Sequence, residues 1–406
     1  MPMIQLLLIA QLVAAQPPSL VTLADAVATA RASSPRRDSA IAIASAASDA
    51  VPLAGRPLNP VFELQSENWT PASRGLSPQR DTFAVATQPL ELGGKRGLRR
   101  QIAEADRDVA DASLRSLEHV VVLDTVAAYV RALRARALVD TLVTHREGLS
   151  PLVAGMARRV TEGHSAEADL LRFRTEAARV DGEIARARLE LERSLAALAV
   201  IIGAEVPIAA SALVEPAPLP VPSPDAVTIS ARVLAHPNVR AADAEVSRSA
   251  RMTAAERARR YPDPAVTAGY KRTAGFNTLV FGVSMSVPLF DRNGVAIARA
   301  AGSERAARAQ RAAAVFQLSM DAASLIRAAR EISSQAAIAD RELLAPAEQV
   351  RSSARAAFRE GSSDVLKLID AERIFADVQR AATDLRLDAF AATIAARFAL
   401  GEEAIP

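Results

Sequence analysis

The 406-residue chain has no cysteine, which excludes disulfides, thiolate metal sites, cysteine nucleophiles and lipid attachment at an N-terminal cysteine. Aromatic residues are scarce, at 4%, too few for the two or three ordinary cores that a chain of this length would otherwise hold. No stretch beyond the first residues approaches the roughly 18 to 20 uninterrupted apolar residues of a membrane helix, so only strands could cross a bilayer. An excess of one charge is missing too. Lys and Arg number 49 against 46 Asp and Glu, and their even spread offers no polycationic surface to nucleic acid. The four histidines, His119, His145, His164 and His236, are scattered without metal-ligand spacing. His164 beside Glu162, Glu167 and Asp169 is the one local cluster with ligand chemistry, and it reads as a solvated tip. No GxSxG elbow or HExxH pair occurs, and the phosphate-loop reading of Gly94-Lys95 fails because position 89 is Pro. Catalysis, a bound metal and a cofactor are therefore not expected.

What is present is alanine in abundance, within an apolar half of the chain. Alanine is the best helix former and the smallest side chain that still packs, so the expectation is long helices in close contact. Val315, Leu318, Ala322, Leu325, Ala329, Ile332 and Ala336 step by three and four, as do Leu98, Ile102, Ala105, Val109 and Ala112. Such heptads mark coiled-coil seams. Segments of 50 or more residues would reach roughly 75 Å and need neighbours along their whole length. Val180, Ile184, Ala187, Leu191, Leu195, Leu198 and Ile202 form a third seam, and Ile374, Val378, Ala381 and Leu385 a fourth.

Four other runs have a period of two. Leu279, Phe281, Val283, Met285 and Val287 alternate with Val280, Gly282, Ser284 and Ser286, giving one apolar and one small, mostly polar face. Shorter runs lie at 61–67, 82–87 and 266–271. Eight of the fifteen aromatics, Phe62, Trp69, Phe83, Tyr261, Tyr270, Phe276, Phe281 and Phe290, sit in or beside these runs. Membrane barrels concentrate aromatics in this way. Soluble hairpins covering a core are the competing reading.

The order of these runs is duplicated. Gln88-Pro89-Leu90 with its Gly-Gly-Lys-Arg turn returns as Val287-Pro288-Leu289 with Asp-Arg-Asn-Gly, and Pro151 has a counterpart in Pro346. Glu162-Gly163 with Leu170 matches Glu360-Gly361 with Leu368 at an offset of 198. The expected layout is a leader over 1–15, whose apolar Ile4 to Ala15 ends in small residues but lacks a positive n-region. A first repeat over 16–202 follows, with strands about 61–68 and 81–89 and helices about 95–161 and 166–202. A linker over 203–224 holds five prolines between Glu215 and Pro224. The second repeat covers 225–400, with strands about 264–272 and 277–289 and helices about 294–360 and 364–399, before a tail at 401–406. Pro89, Gly93, Gly94, Pro288 and Gly294 mark the change from strand to helix, with Gly93, Gly94 and Gly294 expected to supply positive φ.

Four strands cannot close a barrel, and an open edge in lipid would leave unsatisfied backbone groups. Other copies must complete it, and even strand counts allow two, three or four. The duplicated order of strand pair, long helix, Gly-bearing turn and returning helix resembles the TolC outer-membrane efflux family over nearly the whole chain after residue 20. The run Gln88-Pro89-Leu90-Glu91-Leu92-Gly93-Gly94-Lys95-Arg96 is similar to the segment leading from barrel to tunnel in its heavy-metal branch, the CzcC- and CusC-like proteins. Tyr261-Pro262-Asp263-Pro264 and the run from Val287 to Gly294 are similar to the equivalent places in the second half.

The resemblance implies a mainly α fold with a membrane β-barrel part: a homotrimer with a twelve-stranded barrel in the outer membrane and an α-helical tunnel in the periplasm. It implies the exit duct of a tripartite RND-type efflux system, passive and not an enzyme, for heavy-metal cations. Its partners would be a periplasmic adaptor, an inner-membrane pump and outer-membrane lipid. The competing channel is the outer-membrane component of a drug-efflux or type I secretion system, and outside channels a periplasmic coiled coil. Gly163 and Gly361 would turn the helices at the periplasmic tip. Counting from them, the family's constriction residues correspond to Lys367 and Asp370, with Asp169 and Arg172 in the first half. Lys367 could pair with Asp370 or Asp364 to hold a closed state. The bland alternative is that these charges solvate the outside of a coiled coil.

Overall fold

The computed structural model describes residues 21–67, 81–204, 207–273 and 275–402; the expected leader, Trp69 and residues 403–406 lie outside them. Helices α1 (Leu23–Ser33) and α2 (Pro35–Ala54), strands β1 (Val61–Glu67) and β2 (Asp81–Pro89), and helices α3 (Lys95–Thr161) and α4 (Glu167–Ile202) make up the first half. The second follows the same order with α5 (Ala226–Ala235), α6 (Pro237–Ala258), β3 (Pro264–Thr273), β4 (Phe276–Met285), α7 (Gly294–Ala339), α8 (Ala345–Arg359) and α9 (Val365–Ala399). The paired short helices ahead of each strand pair were not expected. α1 starts from a capping box in which the Thr22 and Asp25 side chains serve each other's amides, and Pro237 opens α6 at the position where its missing N–H is no loss.

Three expectations need correction. The helix expected over 294–360 is interrupted by a π-helical stretch at Asp340–Leu344. It sits just ahead of Pro346 and includes Glu342, whose carbonyl, four residues back, is the one a proline ring crowds. β4 closes at Met285, short of 289, because Pro288 has no amide for a ladder. Gly294 opens α7 with ordinary φ, and the left-handed residue is Asn293, at φ 62°. Asn293 tolerates this because its backbone amide donates to the Asp291 carboxylate at 2.9 Å while its Nδ2 donates to the Glu256 carbonyl and Oε2.

The described residues fall into two compact units. One draws on the described residues within 21–37, 118–229 and 320–402, the other on those within 38–117 and 230–319. In the second unit the strands form one antiparallel sheet in the order β1-β2-β3-β4. Its register sets Phe62 and Leu64 opposite Ala86 and Ala84, Tyr270 opposite Ala84, and Phe281 and Leu279 opposite Ala268 and Tyr270. One face is therefore apolar, and the edge strands expose it: Phe62 is 79% and Phe281 76% exposed. The other face carries Glu63, Gln65, Thr87, Thr267, Lys271, Thr278 and Ser284, with Thr87 and Thr267 hydrogen-bonded at 2.9 Å and Lys271 over the Phe83 ring. Among the described residues β1 and β4 each have a neighbour on one side only.

At the end of this sheet where strands give way to helices, Asp263 accepts from Lys95 Nζ at 2.7 Å and from the Leu92 amide at 2.9 Å, and Lys95 also donates to the Tyr261 carbonyl. Burial works to raise the Asp263 pKa, but the Lys95 and Leu92 hydrogen bonds hold it below the usual carboxylate range. Gly93 has φ 69°, and a Cβ there would lie 2.9 Å from Tyr261 Cδ2; one on Gly94, at φ 73°, would meet nothing within 4 Å. Gly94→Ala is expected to cost about 1–2 kcal/mol from the left-handed backbone alone. Gly93→Ala should cost roughly 1 kcal/mol more through the displaced Tyr261 ring, a difference that parallel thermal unfolding of the two variants in detergent would read.

The first unit holds the Pro-rich linker against its helices. The Arg136 guanidinium donates to the Leu213 carbonyl at 2.6 Å, and Arg397 to that of Pro220 at 3.0 Å.

Candidate functional site

Two helix reversals lie in the first unit. After α3, Gly163 takes φ 75° and the His164 amide closes back on the Arg159 carbonyl at 2.8 Å. After α8, Gly361 takes φ 77° and the Ser362 amide closes on the Ala357 carbonyl at 2.9 Å. Both are helix C-terminal caps that need a residue without Cβ strain. The returning helices start differently: α4 has no side-chain cap, whereas Asp364 caps α9 by accepting from the Lys367 amide at 3.0 Å. Beside the turns, Met156, Leu170, Phe173, Phe358, Val365, Leu368 and Ile369 make one apolar cluster, with Phe173 edge-on to Phe358. Leu170 and Leu368, matched in the sequence, meet here.

Further along α4 and α9 this core gives way to buried charge. Glu176 of α4 is only 3% exposed. Its carboxylate accepts from Arg373 of α9 at both oxygens, Nε to Oε1 being 2.8 Å, and from Arg179 one turn on at 2.7 and 3.1 Å. Burial would raise the pKa of this acid; the hydrogen bonds from Arg373 and then Arg179 overcome it and bring it down to about 2. Glu372, 1% exposed, is gripped in the same two-pronged way by Arg355 of α8, Nη2 to Oε2 being 2.9 Å. Neighbouring residues on a helix point about 100° apart, so Glu372 and Arg373 tie α9 to two different helices. α9 cannot leave α4 without stripping Glu176 of its inter-helix partner. His145 of α3 is buried nearby, its Nε2 without a hydrogen-bond partner among the described residues and its pKa lowered by burial.

A cleft of ≈ 720 Å³ between α4 and α9 is lined by Arg172, Glu176, Lys367, Asp370 and Arg373 with Leu171 and Leu366. Three residues reached by counting from the glycines, Arg172, Lys367 and Asp370, are thus brought together. Asp169 pairs with Arg172 at 3.1 Å. The expected Lys367 ion pair is absent among the described residues: Asp364 is turned to the start of its own helix and takes the Lys367 amide instead. Glu176, Glu372, Arg355 and Arg373 were missed. The available signal was the placing of Glu176 between Phe173 and Val180, and of Glu372 after Val365 and Leu368, on stripes otherwise apolar. Among the described residues no group of three or more His, Asp or Glu is disposed to hold a metal ion, and no helix is long and apolar enough to cross a membrane.

The sequence is similar to the family described as outer membrane efflux protein over two segments, residues 26–204 and 229–402. It is 29% identical over 300 residues to the cobalt-zinc-cadmium resistance protein CzcC of Cupriavidus metallidurans, covering 72% of this chain and 71% of that protein. It is 30% identical to the nickel and cobalt resistance protein CnrC of the same organism, over 62% of this chain and 60% of that one. The fold is similar to the crystal structure of CusC, with a TM-score of 0.78 over 95% of this chain and 94% of the other at 16% identity.

Proposed function

The chain belongs to the outer membrane efflux protein family, and on that premise we propose that three copies form the exit duct of a tripartite pump. Each copy contributes four strands to a twelve-stranded barrel in the outer membrane, and the helices extend as a tunnel into the periplasm. The observation that carries this is the sheet. Its apolar face is exposed, its opposite face mixes Glu63, Gln65, Lys271 and several Thr with Phe83 and three Val, and among the described residues the outer edges of β1 and β4 have no strand to bond. In lipid such edges are tolerated only when the sheet closes on itself, and three copies give an even-stranded closure.

Heavy-metal cations are the cargo this reading favours, supported by the similarity to CzcC and CnrC and by Asp370 on the α4–α9 cleft. Three Asp370 carboxylates around a narrow axis would form a cation-favouring ring, tuned by Lys367 with the Asp169–Arg172 pair beside it. Asp364 serves the constriction indirectly, by starting α9. A periplasmic adaptor and an inner-membrane RND pump would dock on the end formed by the Gly163 and Gly361 turns. No step requires catalysis.

The test is to purify the protein from outer membranes in detergent, weigh it by light scattering and record single channels in a planar bilayer. A trimer with small, cation-selective conductance that loses selectivity and gains current in Asp370→Ala is the expected result. A water-soluble monomer without conductance would sink the reading.

A further inference from the structure

We propose that the end of the sheet where strands meet helices carries a binding site for the head group of an anionic phospholipid. The inference rests on the outer-membrane reading above and adds a ligand to it. In the second unit, Arg257, Arg260 and Arg292 converge with Tyr261 and Leu289 on a pocket of ≈ 850 Å³. The first two come from the end of α6 and the turn after it, Arg292 from the connection between β4 and α7. None of the three guanidiniums has a carboxylate partner among the described residues. The acids close by are already engaged: Glu256 with Arg259 and Asn293, Asp263 with Lys95, and Asp291 with the Asn293 amide. The pocket therefore holds unneutralised positive charge.

Its surroundings are apolar in a way a water-facing surface rarely is. Val287, Leu289, Phe290 and Tyr261 are all exposed, Phe290 completely. Val287 continues the alternation of Leu279, Phe281, Val283 and Met285, whose side chains share the sheet's apolar face. An exposed apolar run that ends in an aromatic and three cations matches the boundary between acyl chains and head groups. Guanidiniums suit a phosphodiester because they offer paired, planar donors. A free phosphate would satisfy the arginines but leave Leu289 and Phe290 in water, so the lipid is the better occupant.

The test uses the purified oligomer, titrated in detergent with phosphatidylglycerol or with phosphatidylcholine of the same acyl chains and followed by native mass spectrometry. Integration into phosphatidylcholine vesicles is measured in parallel by flotation and carbonate extraction. Phosphatidylglycerol should bind more tightly. The combined variant Arg257→Gln, Arg260→Gln, Arg292→Gln should weaken that binding roughly a hundredfold, about fivefold per cation, while still integrating. Lysine at the same three positions should restore most of the preference.

Equal affinity for the two lipids, or an unchanged Gln variant, would overturn the proposal while leaving the barrel reading standing. Displacement of the lipid by millimolar inorganic phosphate would make this a soluble-anion site and overturn it too. A Gln variant that falls apart into monomers would assign the patch to contacts between copies. Failure of the wild type to integrate at all would remove the membrane reading and this site with it.

Discussion

Removing both guanidiniums from Glu176, in the variant Arg179→Ala, Arg373→Ala, is expected to cost about 3–5 kcal/mol of stability and to reverse the protein's response to acid. The cost follows from leaving a carboxylate that is 3% exposed without compensation, the expensive way to break a buried pair. In the wild type the two arginines hold the Glu176 pKa at about 2. An acid whose pKa is lowered on folding stabilises the fold fully above its unfolded value near 4.5, and that contribution fades as pH falls toward 2. It amounts to about 2 kcal/mol once solvent screening of the half-exposed guanidiniums is allowed for.

Without the arginines, burial is the force left to act and raises the pKa instead. The folded state then holds the proton more tightly than the unfolded one, so the variant should be more stable at pH 5 than at pH 8. Adding Glu176→Gln to the double variant should flatten the dependence and recover part of the stability. The measurement is thermal unfolding across pH for the three proteins. A double variant with wild-type melting temperature and wild-type slope would show that Glu176 carries no such burden. Because Arg373 ties α9 to α4 by an ion pair beyond the apolar cluster at the turns, the double variant should also pass more current in the planar bilayer.

How much of this was readable beforehand depends on whether the determining contact is local. The alternation from Leu279 to Met285 was legible because a strand repeats every two residues wherever its partner lies. The seams of α3, α4 and α7 were legible because a helix with neighbours along its length must keep an apolar stripe. In α9, however, the stripe through Ile374 and Ala381 is exposed and the buried side is that of Ala371, Ala382 and Leu387, because an alanine-rich helix offers more than one apolar stripe. Helix α2 offered no such stripe: Ala44 is its one buried side chain, so nothing in its sequence set an inside apart from an outside. Pro346 was noticed as a landmark, yet Pro151 runs through α3 without a break; the π-helical stretch before Pro346 therefore reflects local accommodation and not proline alone. At the cleft, Arg172, Lys367 and Asp370 could be found by counting from Gly163 and Gly361, since turn and charge lie within about three helical turns of each other. Glu176 and Arg373 are partners across 197 residues. Nothing in either segment names the other, and only the packing of α4 beside α9 brings them together.

The second large effect is expected from one methyl group in the sheet. Gly269 pairs with Val85 on one side and Val280 on the other, and a Cβ built on it would lie 2.4 Å from the Ala84 carbonyl oxygen and 2.6 Å from Val85 Cα. These are backbone atoms of the adjacent strand, so no rotamer can relieve the overlap. β2 and β3 would have to separate. Glycine inside a strand marks such close approaches, commonly where a sheet bends hard as it does when closing a barrel; that rule, applied to the run 266–271, would have singled the residue out. Gly269→Ala should disrupt several β2–β3 ladder bonds at about 1 kcal/mol each. The strands on either side depend on that junction for their place, so on the duct reading proposed above the yield of folded oligomer in the outer membrane should fall at least about tenfold, the equivalent of about 1.4 kcal/mol.

Gly282→Ala is the matched control. It lies in the next strand opposite Thr267, and its added Cβ would meet only Thr267 Cβ, at an ordinary 3.9 Å. Oligomer recovered from outer membranes, compared on unheated and heated gels, separates the outcomes. Loss in Gly269→Ala with full assembly in Gly282→Ala would tie formation of the proposed barrel to the close β2–β3 approach. Equal assembly of both would mean that the strands are free to part at Gly269, and that the curvature needed for closure arises elsewhere in the sheet.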